Sequence, residues 1–194
     1  MMNSIFFDSN TFFIDKKSNH FKYESYFRVF NENGNHVGFI IEEVSSLQKI
    51  LSHFLNKNIL PFRFQIKDCK GNLQSSVLKG WTLLGSPIII KNDQNITIGY
   101  VKRKPKVFNL VFKIYNQNNL VIASVMDSFS NYSLHIVDAT GKVIGKFNEK
   151  WDGELSGFFS TADKSILSLK TNAMDFSSKC MLLSGALIID KILK

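Results

Sequence analysis

Residues 179–190 of this 194-residue chain read KCMLLSGALIID, and this stretch decides the fold. Between Lys179 and Asp190 only Ser184 is polar, so a helix here has no polar face. A membrane-spanning helix needs about 20 apolar residues, more than this stretch supplies. A helix that is apolar on all sides and cannot span a membrane must be enclosed by protein. We therefore expect it inside a shell of strands, with Gly185 and Ala186 permitting close approach. Its buried side chains are predicted to be Met181, Leu182, Leu183, Leu187, Ile188 and Ile189.

The shell is predicted from a repeated polar turn. Asn, Asp and Gly recur in these turns because they tolerate positive φ or bond nearby backbone, as a tight hairpin requires. From the second turn onward, the last turn residues follow one another at 24, 24 and 22 positions. The flanks are rich in β-branched and aromatic residues, and regular strands at this spacing form a sandwich or a barrel. The turns are Asn31–Gly34, Asp68–Gly71, Asn92–Asn95, Asn116–Asn119 and Asp138–Gly141.

A second helix is predicted near residues 45–56. Its apolar positions recur at i, i+3, i+4, i+7 and i+8, which places them on one face, and Ser45 or Ser46 can act as N-cap. We expect this face to pack on the domain's own sheet. The alternative is a helix on a membrane surface, which the modest charge of the opposite face disfavours. The apolar positions are Leu47, Ile50, Leu51, Phe54 and Leu55.

Charge and cysteine content limit the partners and the cellular compartment that we expect for the protein. The chain carries 24 basic and 16 acidic residues, a net charge of +8, which favours anionic partners such as phospholipid headgroups unless it serves solubility alone. Cys69 and Cys180 do not make a disulfide framework, and residues 1–8 lack the basic start of a signal peptide. We expect a cytoplasmic protein that is not secreted and that touches a membrane, if at all, as a peripheral protein.

The clearest surface feature is a basic cluster at Lys102, Arg103, Lys104 and Lys106, with Pro105 between the last two. Lys and Pro commonly protect the edge of a sheet. Four cations also suit an anionic lipid surface, where each contributes about 1 kcal/mol to the free energy of binding. Nucleic acid is the third interpretation, and it is disfavoured because no aromatic residues are interleaved with the cluster for base stacking.

Four motifs occur in order in the last third of the chain. They are a Gly-Lys-x-Ile-Gly turn (Gly141–Gly145), a Lys-Trp-x-Gly step (Lys150–Gly153), a Phe-x-Thr-Ala-Asp turn (Phe159–Asp163) and the apolar helix that ends at Asp190. In this order they resemble the C-terminal half of the phospholipid scramblase family, including its bacterial scramblase-related members. The resemblance implies a mainly β fold, the tubby-like barrel, which plant LURP-one-related proteins are thought to share. This is a closed antiparallel sheet of about a dozen strands around a hydrophobic C-terminal helix.

The resemblance is best over Ile96–Ile189, extends in hairpin layout back to Phe27, and is absent before that residue. No Pro-rich or Gly-rich linker divides the chain. We therefore predict one barrel domain over residues 21–194, preceded by an N-terminal extension over residues 1–20.

Scramblases are associated with calcium-stimulated movement of phospholipids between leaflets, and in several members an acidic segment near this position is thought to bind calcium. Here Asp163 is the only matching acid, and residues 164–170 supply no second carboxylate. Because calcium prefers several acidic oxygens, we expect Asp163 to be a turn residue and predict no cofactor, although the resemblance leaves calcium open.

The resemblance implies phospholipid scrambling or, more conservatively, peripheral binding to anionic phospholipid without covalent catalysis. Binding is favoured, because scrambling requires a polar path across about 30 Å of hydrocarbon. The alternative is a soluble scaffold of tubby-like fold that binds protein partners. We predict that the protein is not an enzyme, since the sequence holds none of the common catalytic motifs and its histidines lack metal-site spacing. These are His20, His36, His53 and His135.

Overall fold

The protein is described by a computed structural model that covers residues 5–17, 25–45, 48, 50–51, 54–55, 59–81, 86–105, 110–128, 133–148, 164–170 and 174–193. The helical elements with described bounds are a 3-10 turn, Ile5–Phe7, and a C-terminal helix, α1, Phe176–Leu193; residues 48, 50 and 51 are helical as well. The strands are β1 (Thr11–Lys17), β2 (Ser25–Phe30), β3 (His36–Glu43), β4 (Phe62–Asp68), β5 (Leu73–Lys79), β6 (Ile88–Asn92), β7 (Thr97–Pro105), β8 (Leu110–Asn116), β9 (Val121–Ser128), β10 (Ser133–Val137), β11 (Val143–Asn148) and β12 (Lys164–Leu169).

The strands form one closed antiparallel barrel. Each strand pairs with its neighbours in sequence, and β1 pairs with β12 to close the ring. The predicted closed barrel around a C-terminal helix is confirmed. The N-terminal stretch needs correction, because Thr11–Lys17 fell within the predicted extension and is a barrel strand. It pairs with both β12 and β2, partners that no local pattern in residues 1–20 specifies.

All the predicted turns join neighbouring strands and share one geometry. In each, the side-chain oxygen of the first Asn or Asp accepts backbone N–H groups two and four residues later, as Asp68 does from Lys70 and Asn72 at 2.9 and 2.8 Å. The fourth residue has positive φ, which suits Gly or Asn. Gly34, Gly71, Asn95, Asn119 and Gly141 occupy this position.

Helix α1 fills the barrel. The side chains from Cys180 to Ile189 are buried, as predicted. Close approach depends on glycine, because a Cβ added at Gly185 would lie 2.5 Å from Cδ1 of Ile114 on β8. A Cβ added at Gly99 on β7 would likewise lie 2.6 Å from the sulfur of Met181. Cys180 is enclosed as well, and burial raises the pKa of its thiol to about 11.

The two ends of the barrel differ. The five Asn and Asp turns lie at one end, the turn end, where α1 also begins. The Lys179 ammonium donates there to the carbonyls of Phe7, Asp8 and Ser9 at 2.9, 3.4 and 3.2 Å. The rings of Phe7 and Phe176 meet edge to face at 4.8 Å. The connections from β3 to β4, β5 to β6 and β7 to β8 leave at the opposite end, the loop end.

Candidate functional site

The basic cluster lies where β7 runs toward the loop end. Lys102 pairs with Lys113, whereas Arg103 pairs with Phe112, a core residue. Successive residues of a strand point to opposite faces. Lys102 therefore projects from the outer wall of the barrel and Arg103 toward its mouth, where it is exposed. The backbone of Lys104 continues the strand, its side chain is outside the described part, and Lys106 lies wholly outside it.

Two tyrosines accompany Lys102. Tyr100 and Tyr115 are cross-strand partners whose rings stack with centroids 5.1 Å apart. The Lys102 ammonium lies 4.9 Å from the first ring centroid and 5.4 Å from the second. Aromatic residues are not interleaved with the cluster in sequence, but the structure brings Tyr115 to Lys102 from the adjacent strand. Cation–π contact of this kind fixes Lys102 at the surface.

The register of β6 and β7 shows whether the basic cluster lies at an uncovered strand edge, where Lys and Pro commonly protect a sheet. Within the described ranges, β6 pairs with β7 as far as Val101. The continuation of β7 through Pro105 pairs with β8. Lys102 and Arg103 thus begin a strand edge that β6 does not cover, where cations discourage further strand pairing. The same position leaves Arg103 accessible to an external anion.

The segment around residue 48 corrects a second expectation. Gln48 donates its N–H to Ser45 Oγ at 3.2 Å, and its side-chain oxygen accepts the Ser45 N–H at 2.6 Å. This reciprocal capping box confirms Ser45 as the N-cap. However, the predicted packing of the apolar face on the sheet is wrong for Ile50 and Phe54, which are 62% and 82% exposed. A helical period identifies an apolar face, but it does not say what covers that face.

Four exposed apolar side chains lie on the described parts of the loop end. Ile50, Phe54 and Leu55 lie on the β3–β4 connection, and Trp81, which is 56% exposed, follows β5. We call these residues, together with Arg103, the loop rim. Trp81 was not among the site residues predicted from sequence, although a Trp directly after Gly80 at the end of a strand was a usable signal. Two other basic residues near this end are engaged: Arg63 pairs with Glu43, and Lys79 donates to the Leu60 carbonyl.

The described residues hold little that suggests bond-making chemistry. Across these ranges, no three His, Cys, Asp or Glu side chains are grouped to hold a metal ion. The structure brings His36 to Cys69, with Nδ1 3.3 Å from the sulfur. Burial raises the pKa of the Cys69 thiol, the opposite of what an activated nucleophile needs. His135 is a strand residue of β10, and His20 and His53 lie outside the described residues.

Several predictions concern residues outside the described ranges. These include Asp163, the Lys150–Gly153 step and the Phe159–Asp163 turn. The expectation that Asp163 is a turn residue rather than a calcium ligand therefore stays a prediction. Within the part of the chain that the structure covers, no helix combines the length and the apolarity needed to cross a bilayer.

Comparison with known proteins gives the family. The chain is similar in structure to a protein from Arabidopsis thaliana whose X-ray structure is known, with a TM-score of 0.57 over 96% of this chain and 94% of that one. At 12% identity this likeness shows the fold alone, the tubby-like barrel. No curated protein matches the sequence. The scramblase family model matches residues 19–193, nearly the whole chain. The chain therefore belongs to the scramblase family.

Proposed function

We propose that the protein binds anionic phospholipid at a membrane surface, as a peripheral protein and without covalent catalysis. The observation that carries the proposal is the joint presence at the loop end of exposed apolar side chains and accessible cations. Phe54 and Trp81 supply the first, and Arg103, with Lys102 on the wall beside it, supplies the second. Such a combination is what interfacial binding uses, since apolar burial and attraction to anionic lipid add.

Charge complementarity supports the choice of an anionic surface. The chain has a net charge of +8, and each basic group near an anionic bilayer contributes about 1 kcal/mol. Lys102 and Arg103 would then contribute about 2 kcal/mol together. Lys104 and Lys106 are proposed as further contributors on the strength of the sequence cluster alone.

Binding is proposed ahead of scrambling because of where the apolar side chains of α1 lie. Leu182, Leu183 and Ile188 are fully buried inside the barrel. Moving them into lipid would leave the inward-facing side chains of the strands exposed to water, at a cost of about 2 kcal/mol for each large apolar side chain exposed. Lipid movement between leaflets would therefore require a rearrangement or assembly that binding does not.

Vesicle flotation tests the proposal. The unmodified protein should float with vesicles of phosphatidylcholine and phosphatidylserine and stay at the bottom with phosphatidylcholine alone. The double variant Lys102→Gln/Arg103→Gln should lose about 2 kcal/mol of binding, a factor of about 30. The matched control is Lys70→Gln/Lys142→Gln, which removes the same charge from exposed positions at the turn end.

The outcomes separate the candidates. Equal flotation of the two double variants would refute a local role for Lys102 and Arg103. No flotation of the unmodified protein on either vesicle would refute lipid binding and favour the scaffold alternative. If a fluorescent oligonucleotide at equal ionic strength bound the protein more tightly than anionic vesicles did, the basic cluster would be a nucleic-acid site, because nucleic acid responds to the same charge.

A further inference from the structure

We propose that the barrel docks end-on, with the loop rim facing the bilayer, Phe54 and Trp81 inserted among the headgroups, and the turn end facing water. This inference rests on the proposed lipid binding and adds an orientation and an insertion surface to it. The occupant of the rim is an anionic bilayer surface rather than a protein groove or a second copy of the chain.

The exposure and the type of the loop-rim side chains support end-on docking. Phe54 is 82% exposed and Trp81 is 56% exposed, although each would gain free energy by leaving water. Exposed apolar groups beside cations mark interaction surfaces. Trp in particular favours the boundary between headgroups and hydrocarbon, where its ring is buried and its N–H stays hydrated.

The two ends of the barrel also differ in charge. The turn end also carries exposed apolar residues, Ile96 and Leu120, so exposure alone does not choose between the ends. The five turns hold four carboxylates against one lysine, Lys70, and Lys142 directly follows the last of them, so the turns themselves are net acidic and suit an anionic surface less well. The hydrogen bond from Thr140 is the main cause that lowers the pKa of Asp138. At Asp68, burial raises the pKa, but hydrogen bonds from Asn72 and Lys70 outweigh it and lower the pKa overall. Both carboxylates are therefore ionised at neutral pH. The four are Glu32, Asp68, Asp93 and Asp138.

The position of the loop-rim residues outside the strands also supports end-on docking. Ile50, Phe54 and Trp81 lie on connections rather than in strands. They can enter the headgroup layer without breaking a strand pair or exposing α1. At the turn end, by contrast, the backbone is held by turn hydrogen bonds and by the Lys179 contacts to residues 7–9. End-on docking therefore leaves the barrel intact.

A pair of neutral substitutions tests the insertion. Phe54→Gln and Leu120→Gln each replace an exposed apolar side chain without changing the charge, the first at the loop end and the second at the turn end. Removing one inserted aromatic ring should weaken partition to vesicles of phosphatidylcholine and phosphatidylserine roughly tenfold. We expect that loss for Phe54→Gln, a similar loss for Trp81→Gln, and no measurable change for Leu120→Gln.

The orientation has an independent readout in the natural thiols. Cys69 is exposed at the turn end and Cys180 is buried, so an environment-sensitive fluorophore can be attached to Cys69 in the otherwise unmodified protein. Its emission should not shift when vesicles are added. The same fluorophore at Phe54→Cys, in a Cys69→Ser background, should shift to the blue and be quenched by brominated lipid chains.

The results separate this inference from the proposed function. If the unmodified protein does not bind vesicles, both the proposed lipid binding and the end-on docking are refuted. If it binds while Phe54→Gln, Trp81→Gln and Leu120→Gln all bind equally well, lipid binding stands and the rim proposal is refuted. A blue shift at Cys69 with none at position 54 would place the turn end on the membrane and overturn the orientation.

Discussion

Replacing Gly185 by Ala is expected to destabilise the protein through a single neighbour, Ile114. A Cβ at position 185 would lie 2.5 Å from Cδ1 of Ile114 and 3.2 Å from its Cγ1. Overpacking of this kind costs about 1–3 kcal/mol, while Ala gains about 1 kcal/mol over Gly in a helix interior. We therefore expect Gly185→Ala to lower the free energy of unfolding by up to about 2 kcal/mol.

The partner substitution should reverse that effect. Ile114→Val removes Cδ1, the closest atom, and costs about 0.5–1.5 kcal/mol on its own. In the Ile114→Val background, Gly185→Ala should be close to neutral, because the Cδ1 clash is gone and the helix gain of about 1 kcal/mol offsets the tight 3.2 Å contact that remains with Cγ1. The expected coupling energy is at least about 1 kcal/mol, within the range for residues in contact.

Urea unfolding of the four proteins in this cycle, followed by tryptophan fluorescence, measures the coupling. Gly80→Ala is the matched control, because nothing lies within 4 Å of a Cβ at that position. Its effect should be the same in both backgrounds. A coupling between positions 185 and 114 below about 0.5 kcal/mol would be indistinguishable from additivity and would refute the placement of α1 against β8.

Three further predictions concern the turns and the thiols. Asn95 has a φ of 63°, so Asn95→Ala should lower the free energy of unfolding by about 1 kcal/mol while Asn95→Gly should not, as urea midpoints would show. The pKa of Asp138 is lowered from 3.8, so its charge stabilises the fold above that value and loses its effect as the pH falls through the folded pKa. The stability advantage of the unmodified protein over Asp138→Asn should therefore shrink between pH 5 and pH 3 in acid titrations of urea midpoints. A maleimide should modify Cys69 alone in the native protein and both thiols after unfolding, because Cys180 is fully buried; mass spectrometry would count the adducts, and rapid native labelling of Cys180 would contradict its enclosure.

The features that could be predicted from sequence are those in which a local pattern has one physical solution. A helix such as Cys180–Ile189, which has no polar face and is too short to span a membrane, must be enclosed by the rest of the protein. Asn, Asp and Gly at fixed offsets require a hairpin turn, as at Asp68–Gly71. Once the hairpins are counted and the central helix is in place, a closed barrel follows.

The features that could not be predicted depend on partners far away in the chain. Thr11–Lys17 pairs with β12, more than 140 positions away, and nothing local specifies that pairing. Tyr115 reaches Lys102 only through the register of β7 and β8. The outward orientation of Phe54 depends on whether a neighbour covers it, which a helical period does not reveal.

The closure of β1 on β12 and the carbonyl contacts of Lys179 have a consequence for how the chain acquires its structure. Both join residues that lie more than 140 positions apart in the sequence. During synthesis the sheet therefore keeps two open edges and an empty interior until α1 has left the ribosome. Contacts of such long sequence separation slow folding, and unpaired edges invite association with other chains. We expect nascent chains of this protein to depend on protection by chaperones until β12 and α1 are available.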